Sequence, residues 1–347
     1  MVSPSVSPAR KRVLSGVRPT GKAHLGHLVG ALSNWIELQK QFECFYFIAD
    51  WHALTTNYAD TSQLQQYILE VATDYLAAGL DPKQSVIFLQ SHVLEHAELH
   101  LLLSQTVPLG WLERVPTYKE QRENLRDKDL GTYGFLGYPV LQAADILMYK
   151  ADFVPVGEDQ VAHLELTREI CRRFNGFYGS IFPEPQPLLT ASPRLPGTDG
   201  RKMSKSFGNA VYLSDSEADV RKKVSTMITD PARRLRTDPG NPDICPVYSL
   251  HKLVSPAATV EMVNVECRRA GIGCVDDKKI MANNLVQFLQ PLQQRRSEYE
   301  KRPGEVWDIL EEGSRKARVT AQATMQEVRA AMNLSPKKSA AAGAAKS

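Results

Sequence analysis

The sequence has few cysteines, no long apolar run and almost no net charge. Its five cysteines form no short disulfide-like framework, which is typical of a protein of the reducing cytoplasm. No run approaches the roughly 18 apolar residues that a membrane-spanning helix needs. The formal net charge is only +3, so any contact with nucleic acid has to come from local basic clusters. We therefore expect a cytoplasmic protein without a membrane segment.

The rest of the composition is that of an ordinary globular protein with room for two domains. The chain has 347 residues, of which 43% are hydrophobic and 23% charged, enough to bury a sizeable core. Residues 1–12 contain Ser, Pro and basic residues, which predicts a flexible tail that is neither a signal peptide nor a membrane anchor. Residues 336–347 are almost entirely Ala, Lys, Gly and Ser, a composition typical of disorder.

Compact apolar runs alternate with amphipathic helices in the first half of the chain. The runs Val13-Leu14, Phe45–Ala49 and Ser85–Leu89 predict buried strands, because they lack the alternation of a half-exposed strand. Strand, helix, strand, helix, strand in this order predicts right-handed crossovers and an α/β fold with a doubly wound parallel sheet of Rossmann type. Ligands on such sheets lie beyond the carboxyl ends of the strands.

Polar side chains follow three of the predicted strands. His24, His52 and Gln90 each come just beyond a strand end, so one crevice could collect them. The first of them belongs to His24-Leu25-Gly26-His27, which opens a helix after a Gly- and Pro-containing turn. A helix N-terminus favours anionic ligands, and Gly26 lets a flat base approach the backbone. Both histidines can donate hydrogen bonds to phosphate oxygens, most strongly when protonated.

A second cationic stretch lies in the middle of the chain. Lys202-Met203-Ser204-Lys205-Ser206 follows the Gly- and Pro-rich loop Pro196–Gly200. Two ammonium groups three residues apart, interleaved with hydroxyls, can form a mobile cationic clamp for a polyphosphate. Each stretch alone could be an ordinary surface segment. In this order, however, His-Leu-Gly-His and Lys-Met-Ser-Lys-Ser closely resemble the signature pair of class I aminoacyl-tRNA synthetases.

A third block narrows the resemblance to one family. Gly-Tyr-Pro-x-Leu-x-Ala-Ala-Asp-Ile-Leu-x-Tyr at 137–149 and Val-Pro-Val-Gly-Glu-Asp-Gln at 154–160 look like tryptophanyl-tRNA synthetases. The resemblance extends from Val13 to about Leu334. It implies that L-tryptophan is activated by ATP with Mg²⁺ and is then transferred to the terminal adenosine of tRNA(Trp). It also implies a cytoplasmic homodimer.

The resemblance and the pattern of predicted elements together indicate two domains. Residues 13–206 would form the Rossmann-type catalytic domain, with a helical insertion at about 97–137 that covers the crevice. Strand signals are sparse after Ser206, and residues 207–335 are expected to form a smaller all-α domain that binds the tRNA anticodon. The segments with helical periodicity there are Ser216–Ile228, Asp277–Arg302 and Pro303–Met332.

Asp145 lies in the middle of a largely apolar predicted helix. An unpaired carboxylate would be costly to bury there, so it should have a partner, and an internal ion pair is the plain explanation. The resemblance implies instead that Asp145 accepts the indole N–H of tryptophan. A hydrogen bond to a charged acceptor is worth about 1.5–3 kcal/mol, and phenylalanine could not make it. Tyrosine also carries a donor, so the shape of the pocket would have to exclude it.

The resemblance implies roles for the other matching positions. Tyr138 and Gln160 would orient the α-amino group of the substrate. The residues that would line the ring pocket are His52, Val154 and Val156. The residues that would bind ATP are Arg18, Pro19, Thr20, Gly26, His27, Gly157, Glu158, Asp159, Leu195, Lys202, Met203, Ser204, Lys205 and Ser206. Many members of the family have Gln at the position of Arg18, so its role stays open.

The implied reaction begins with attack of the tryptophan carboxylate on the α-phosphorus of ATP. This nucleophile is already an anion, so no general base is needed. Catalysis should consist of positioning and of stabilising the charge that moves onto pyrophosphate. Lys202, Lys205 and Mg²⁺ would supply that stabilisation from one side, and His24 and His27 from the other.

Three cysteines lie in the predicted helical domain. Cys245, Cys267 and Cys274 are followed by Asp277, where some tryptophanyl-tRNA synthetases have a fourth cysteine and bind an iron–sulfur cluster with four irons. A carboxylate is a harder and poorer ligand for such a cluster than a thiolate. Three outcomes stay open: a four-iron cluster with Asp277 as its odd ligand, a three-iron cluster, or an empty remnant held by packing.

Two other functions fit part of the sequence. Tyrosyl-tRNA synthetases share the fold and both signatures, but the Gly-Glu-Asp-Gln turn and the Ala-Ala-Asp-Ile-Leu helix favour tryptophan. A catalytically silent paralogue would bind nucleotide or RNA without releasing pyrophosphate. Intact lysines at 202 and 205 and both histidines of the first signature are evidence against that second function.

Overall fold

The computed structural model describes residues 10–115, 130–157, 160–189 and 195–335. Its strands form one five-stranded sheet in the order β3-β2-β1-β4-β5, and all neighbouring strands are parallel. The strands are β1 (Arg12–Val17), β2 (Glu43–Ile48), β3 (Ser85–Leu89), β4 (Phe153–Val156) and β5 (Gln186–Leu189). The predicted α/β doubly wound parallel sheet is therefore confirmed. The strand order reverses between β1 and β4, and the carboxyl ends of these strands are where such sheets bind ligands.

Helices cover the sheet and make up most of the chain after β5. The helices of the first half are α1 (Leu25–His27), α2 (Ser33–Leu38), α3 (Asp50–Asn57), α4 (Leu64–Ala78), α5 (Glu95–Ser104), α6 (Leu109–Glu113), α7 (Tyr133–Met148) and α8 (Val161–Tyr178). Those of the second half are α9 (Glu217–Thr226), α10 (Pro246–Val254), α11 (Ala257–Arg268), α12 (Cys274–Glu300) and α13 (Pro303–Ala331). No helix in the described ranges is both long and apolar enough to cross a membrane.

Both faces of the sheet are buried, as the apolar runs predict. Successive strand residues point to opposite faces, and they divide accordingly between two apolar clusters. One cluster contains Val13, Tyr46 and Ile87. The other contains their chain neighbours Leu14 and Phe45. This two-sided burial explains why the strands lack an alternating polar pattern.

The helix after the first signature is continuous but not uniform. The single helix predicted there runs through α1 and α2, and a π-helical segment at Leu28–Leu32 lies between them. A Cβ atom on Gly26 would lie 3.0 Å from the His24 ring. Glycine therefore allows that ring to lie against the first turn of the helix.

One predicted boundary is wrong, since helix α12 begins at Cys274 and not at Asp277. Helix α7, which carries Asp145, begins at Tyr133 because the Thr132 hydroxyl caps it by accepting a hydrogen bond from the N–H of Phe135 at 3.2 Å. Strand β5 and helices α10 and α11 were not predicted at all.

The last helix returns to the sheet. Helix α13 packs along the edge strand β3, and a Cβ atom on Gly313 would lie only 1.8 Å from the carbonyl oxygen of Ile87. The Ser314 hydroxyl accepts a hydrogen bond from the N–H of Leu89 at 3.3 Å. Val306 of α13 belongs to one apolar cluster and Val328 to the other. Helix α13 therefore joins the second half of the chain to both faces of the sheet.

Candidate active site

A cleft of about 1050 Å³ opens at the carboxyl ends of β1 and β4. The residues at the end of β1, from Gly16 to Arg18, form one part of its wall, and Val156 and Gly157 at the end of β4 form another. This is the point at which the strand order reverses. The structure thus has a large cavity where the sheet topology favours ligand binding.

The cleft brings together most of the residues singled out in the sequence. Those that line it are Arg18, Thr20, His24, Gly26, His27, His52, Tyr138, Asp145, Val154, Val156, Gly157, Gln160, Leu195, Lys202, Met203 and Ser204. Pro19 is buried between two lining residues, and the Ser206 hydroxyl lies 2.8 Å from that of Ser204. Glu158 and Asp159 lie outside the described residues.

The second signature contacts the turn that leads into the first. The ammonium group of Lys205 donates hydrogen bonds to the carbonyl oxygens of Gly21 at 2.9 Å and Thr20 at 3.2 Å. The segment after the second signature also pairs with the backbone beside the first. The N–H of Leu25 donates to the Val211 carbonyl at 2.9 Å. Residues far apart in the sequence thus form one wall of the cleft.

Asn209 holds the backbone of the second signature. Its side-chain oxygen accepts a hydrogen bond from the N–H of Ser204 at 2.8 Å, and its amide nitrogen donates to the carbonyl oxygen of Lys202 at 3.2 Å. The same nitrogen donates to the Asp199 carboxylate at 2.6 Å. Asn209 was not identified from the sequence, although Asn side chains commonly bond to nearby backbone groups.

The two signature histidines are neutral at pH 7, so each has one ring N–H to donate. Burial, together with the charge of Lys205, lowers the pKa of His24 to about 4. Burial, the neighbouring His24 and the charge of Lys205 lower the pKa of His27 to about 3. The Nδ1 atom of His27 accepts a hydrogen bond from the N–H of His24 at 3.1 Å. The ring proton of neutral His27 therefore lies on Nε2, which is left as a hydrogen-bond donor.

The Asp145 carboxylate is almost completely buried, with 1% of its surface exposed, and has several partners. Its Oδ1 atom accepts from His96 Nδ1 at 2.6 Å, and its Oδ2 atom accepts from His52 Nε2 at 2.9 Å. The amide nitrogen of Gln90 donates to both oxygens, at 2.9 and 2.8 Å. The expectation that a buried carboxylate needs partners is correct. His96 was not identified from the sequence, because only the fold brings it to Asp145.

Asp145 is ionised despite its burial. Burial alone would raise its pKa, but the attraction of His96 and the hydrogen bonds from His52 and His96 outweigh that effect and hold the pKa at about 2. His96 is itself held on its far side, where its Nε2 atom lies 2.8 Å from the hydroxyl of Tyr149. A charged acceptor is therefore fixed at the wall of the cleft.

The wall around Asp145 is otherwise largely apolar. The apolar residues that line the cleft there include Phe47, Ala49, Phe135, Ile146, Val154 and Val156. Tyr138 is oriented by a hydrogen bond between its hydroxyl group and His163 Nε2, at 2.7 Å. One charged acceptor on an apolar wall suits a ligand that is mostly apolar and has one hydrogen-bond donor.

The cysteine region does not fit an iron–sulfur cluster. Asp277 accepts a hydrogen bond from His251 Nε2 at 3.1 Å, and burial raises the pKa of the Cys245 and Cys267 thiols. Within the described residues, no three His, Cys, Asp or Glu side chains are arranged to hold a metal ion. The cluster considered at Cys245, Cys267, Cys274 and Asp277 is therefore not supported.

Comparison with known proteins identifies the family. The family profile described as tRNA synthetases class I (W and Y) matches residues 8–290. The tryptophan–tRNA ligase of Thermotoga maritima is 55% identical over 325 residues, which cover 93% of this chain and 99% of that protein. The chain belongs to the tryptophan–tRNA ligase family. The Aquifex aeolicus member is 48% identical, over 93% of this chain and 100% of its own length.

A solved structure from the same family has the same fold. The tryptophanyl-tRNA synthetase of Campylobacter jejuni, solved in complex with ADP and tryptophan, is 33% identical and superimposes with a TM-score of 0.86. The match covers 93% of this chain and 99% of that one. The resemblance read from the three sequence blocks is thus confirmed. The family profile covers both tryptophan and tyrosine enzymes, so it is the individual relatives that indicate tryptophan.

Proposed function

We propose that this chain is a tryptophan–tRNA ligase that activates L-tryptophan with ATP and transfers it to the terminal adenosine of tRNA(Trp). The observation that carries the proposal is one cleft in which both signature segments face a buried, ionised carboxylate on an apolar wall. Family membership supports the same reaction. The tyrosine enzyme and the silent paralogue are not favoured by these relatives.

The indole ring of tryptophan is proposed to bind against the apolar wall, with its N–H donated to Asp145. His52 lines the cleft and donates to Oδ2, whereas His96 and its partner Tyr149 hold the carboxylate from behind. An incoming indole N–H would replace His52 at Oδ2, exchanging one donor for another. His52, Val154 and Val156 then line the ring.

The amino acid has to present its carboxylate toward the signature segments. Tyr138 and Gln160 line the cleft next to Asp145 and Gly157, and we assign them to the α-amino group. His163 fixes the Tyr138 hydroxyl through the hydrogen bond described above. With the indole and the amino group both held, the carboxylate is oriented for attack, which is the positioning that this mechanism depends on.

ATP is proposed to bind along the cleft walls formed by both signatures. The assigned residues are Arg18, Pro19, Thr20, Gly26, His27, Gly157, Glu158, Asp159, Leu195, Lys202, Met203, Ser204, Lys205 and Ser206. Leu195 would contact the adenine, and Glu158 and Asp159 would hold the ribose. Gly26, which has no side chain, leaves space beside the His24 ring for the nucleotide.

In the first step, a carboxylate oxygen of tryptophan forms a bond to the α-phosphorus while the bond to pyrophosphate breaks. Lys202 and Lys205 are proposed to stabilise the charge that the departing pyrophosphate gains. Lys205 now donates to the backbone carbonyls of Thr20 and Gly21, just before the first signature, and would exchange them for phosphate oxygens. His24 and His27, being neutral, donate N–H groups without needing to lose or gain a proton.

Magnesium is expected to enter together with ATP. No described residue that lines the cleft near Lys205 carries a carboxylate, so the phosphates and water would supply the ligands of the ion. Bound there, Mg²⁺ neutralises part of the phosphate charge. In the second step, a hydroxyl group of the terminal tRNA adenosine takes the tryptophanyl group and AMP leaves.

The remaining partners are inferred from the family. We propose a cytoplasmic homodimer in which residues 207–335 contact the anticodon region of the tRNA and residues 13–206 carry the chemistry. Local basic clusters in the helical part, such as Arg221-Lys222-Lys223, would supply phosphate contacts.

The test is tryptophan-dependent exchange of labelled pyrophosphate into ATP, followed by charging of tRNA(Trp). Exchange with tryptophan and none above background with tyrosine or phenylalanine is expected. Exchange that depends on tyrosine would identify the rival enzyme. Tight ATP binding without exchange for any amino acid would identify the silent paralogue, and either result would overturn the proposal.

A further inference from the structure

A buried aspartate holds the backbone immediately before the first signature. Asp74 of α4 has 1% of its surface exposed, and its Oδ2 atom accepts a hydrogen bond from the N–H of Ala23 at 2.8 Å. The carbonyl group of Ala23 accepts from the N–H of Leu213 at 3.0 Å. Ala23 is therefore held on one side by α4 and on the other by the segment that follows the second signature.

Helix α12 reaches this buried aspartate. The guanidinium group of Arg296, 3% exposed, hydrogen-bonds to Asp74 and to Glu70 of α4. It also forms an ion pair with Glu300 at 3.1 Å. Because Asp74 is buried, its carboxylate depends on Arg296 and on the Ala23 N–H for compensation of its charge.

The same face of α12 also holds the segment after the second signature. Gln293 is three residues before Arg296, so their side chains are neighbours on the helix surface. The amide nitrogen of Gln293 donates to the carbonyl oxygens of Leu213 at 3.0 Å and Asp215 at 2.9 Å. One turn of α12 therefore contacts the segment after the second signature directly, through Gln293, and reaches Ala23 through the bond between Arg296 and Asp74.

We propose that Gln293 and Arg296 are positioning residues for adenylate formation. They fix the spacing between the first signature, through Asp74 and Ala23, and the second signature, through Leu213. This inference rests on the proposed function, since the two segments are the ATP-binding elements of that proposal. It assigns to the helical part of the chain a direct structural role in the ATP site.

The physical reason is that phosphoryl transfer here depends on geometry. Lys205 and His27 come from different signatures, so their separation is set by the contact between the two segments. A shift of about 1 Å in a reacting group can reduce a rate by as much as about a hundredfold. Loosening the α12 contacts should therefore affect ATP more than tryptophan, because Asp145 is held by a separate set of partners.

The test compares Gln293→Met with the neighbouring variant Arg295→Met. Arg295 also joins α12 to α4, through a 2.7 Å hydrogen bond to the Ala77 carbonyl, but it contacts neither signature segment. Pyrophosphate exchange would give KM and kcat for ATP and KM for tryptophan. In Gln293→Met we expect kcat/KM for ATP to fall about tenfold while KM for tryptophan changes less than about twofold. In Arg295→Met both should stay near the wild-type values.

Two further measurements keep the inference distinct from a general loss of stability and from failure of the proposed function. Hydrogen exchange of the Ala23–Leu28 amides should be faster in Gln293→Met and in Arg296→Lys, but not in Arg295→Met. ATP binding measured without any amino acid should weaken in the same two variants. Equal ATP parameters in Gln293→Met and Arg295→Met, or equal loss of tryptophan and ATP affinity, would overturn the inference. A wild-type protein that binds ATP but exchanges no pyrophosphate would overturn the proposed reaction instead.

Discussion

The substitution Asp145→Asn tests how the protein recognises the indole ring. The Asp145 carboxylate accepts hydrogen bonds from His52, which lines the cleft, and from the buried side chains of Gln90 and His96. An amide has only one oxygen, and the short contact with the ring nitrogen of His96 should claim it. The amide nitrogen would then face the cleft, where it meets the indole N–H as a second donor.

The expected cost follows from the bond that is lost. A hydrogen bond to a charged acceptor is worth about 1.5–3 kcal/mol, so the dissociation constant for tryptophan should rise about 10- to 150-fold. Equilibrium binding of tryptophan measures this directly. The dissociation constant for ATP serves as the internal control and should change by less than about twofold, because Asp145 lies apart from the residues assigned to ATP.

A tryptophan analogue with sulfur in place of the indole nitrogen completes the test. It has no N–H to donate, so the wild-type protein should bind it more weakly than tryptophan by the same factor as the mutation costs. Asp145→Asn should bind the analogue and tryptophan about equally. If the variant binds tryptophan as tightly as the wild-type protein, or still prefers tryptophan over the analogue, the assigned role of Asp145 is wrong.

Three further predictions concern the signatures and the fold. Lys205→Met should lower the rate of adenylate formation by about a hundredfold or more while tryptophan binding persists; an unchanged exchange rate would contradict its role. The pKa of His27 is about 3, below the usual 6.5, so the unfolded state binds more protons and the free energy of unfolding should fall as pH drops below 6.5. For one proton, the free energy of unfolding should change by about 1.4 kcal/mol per pH unit. His27→Gln should reduce this pH dependence, which chemical denaturation at several pH values measures. The same pH dependence in the variant and the wild-type protein would contradict the reasoning. Gly313→Ala should lower the melting temperature strongly, because the added methyl group would clash with the Ile87 carbonyl. In the control Gly304→Ala the methyl group meets no neighbour, so the melting temperature should not fall. Equal melting temperatures of the two variants would contradict the packing described.

Local patterns were enough to predict the sheet except for the edge strand β5. Ser85–Leu89 was predicted with the bounds that the structure has, because five consecutive apolar or small residues are buried on both faces. Strand β5 at Gln186–Leu189 was missed because it is short, largely exposed and contains Pro187, which is tolerated on an edge strand. Helix α10 was missed because it begins with Pro246, a residue that breaks a helix interior although it is well suited to the first turn.

The site was predictable wherever one stretch of chain carries it. The two signatures and the Asp145 block are local motifs, and the cleft has residues of all three on its walls. Their partners could not be found in this way. His96 meets Asp145 and Arg296 meets Asp74 only because the helices pack together. The neutral state of His27 likewise results from burial and from the nearby charges of His24 and Lys205, and neither the burial nor this proximity can be read from a local motif.

The most direct test of the account is a crystal structure of the protein with a nonhydrolysable analogue of tryptophanyl-adenylate. The account predicts the indole nitrogen within about 3.2 Å of an Asp145 oxygen, with His52 displaced from it. It also predicts the phosphate of the analogue between His27 and the lysines of the second signature. An indole ring bound elsewhere, or a phosphate in contact with neither signature, would contradict the central claim.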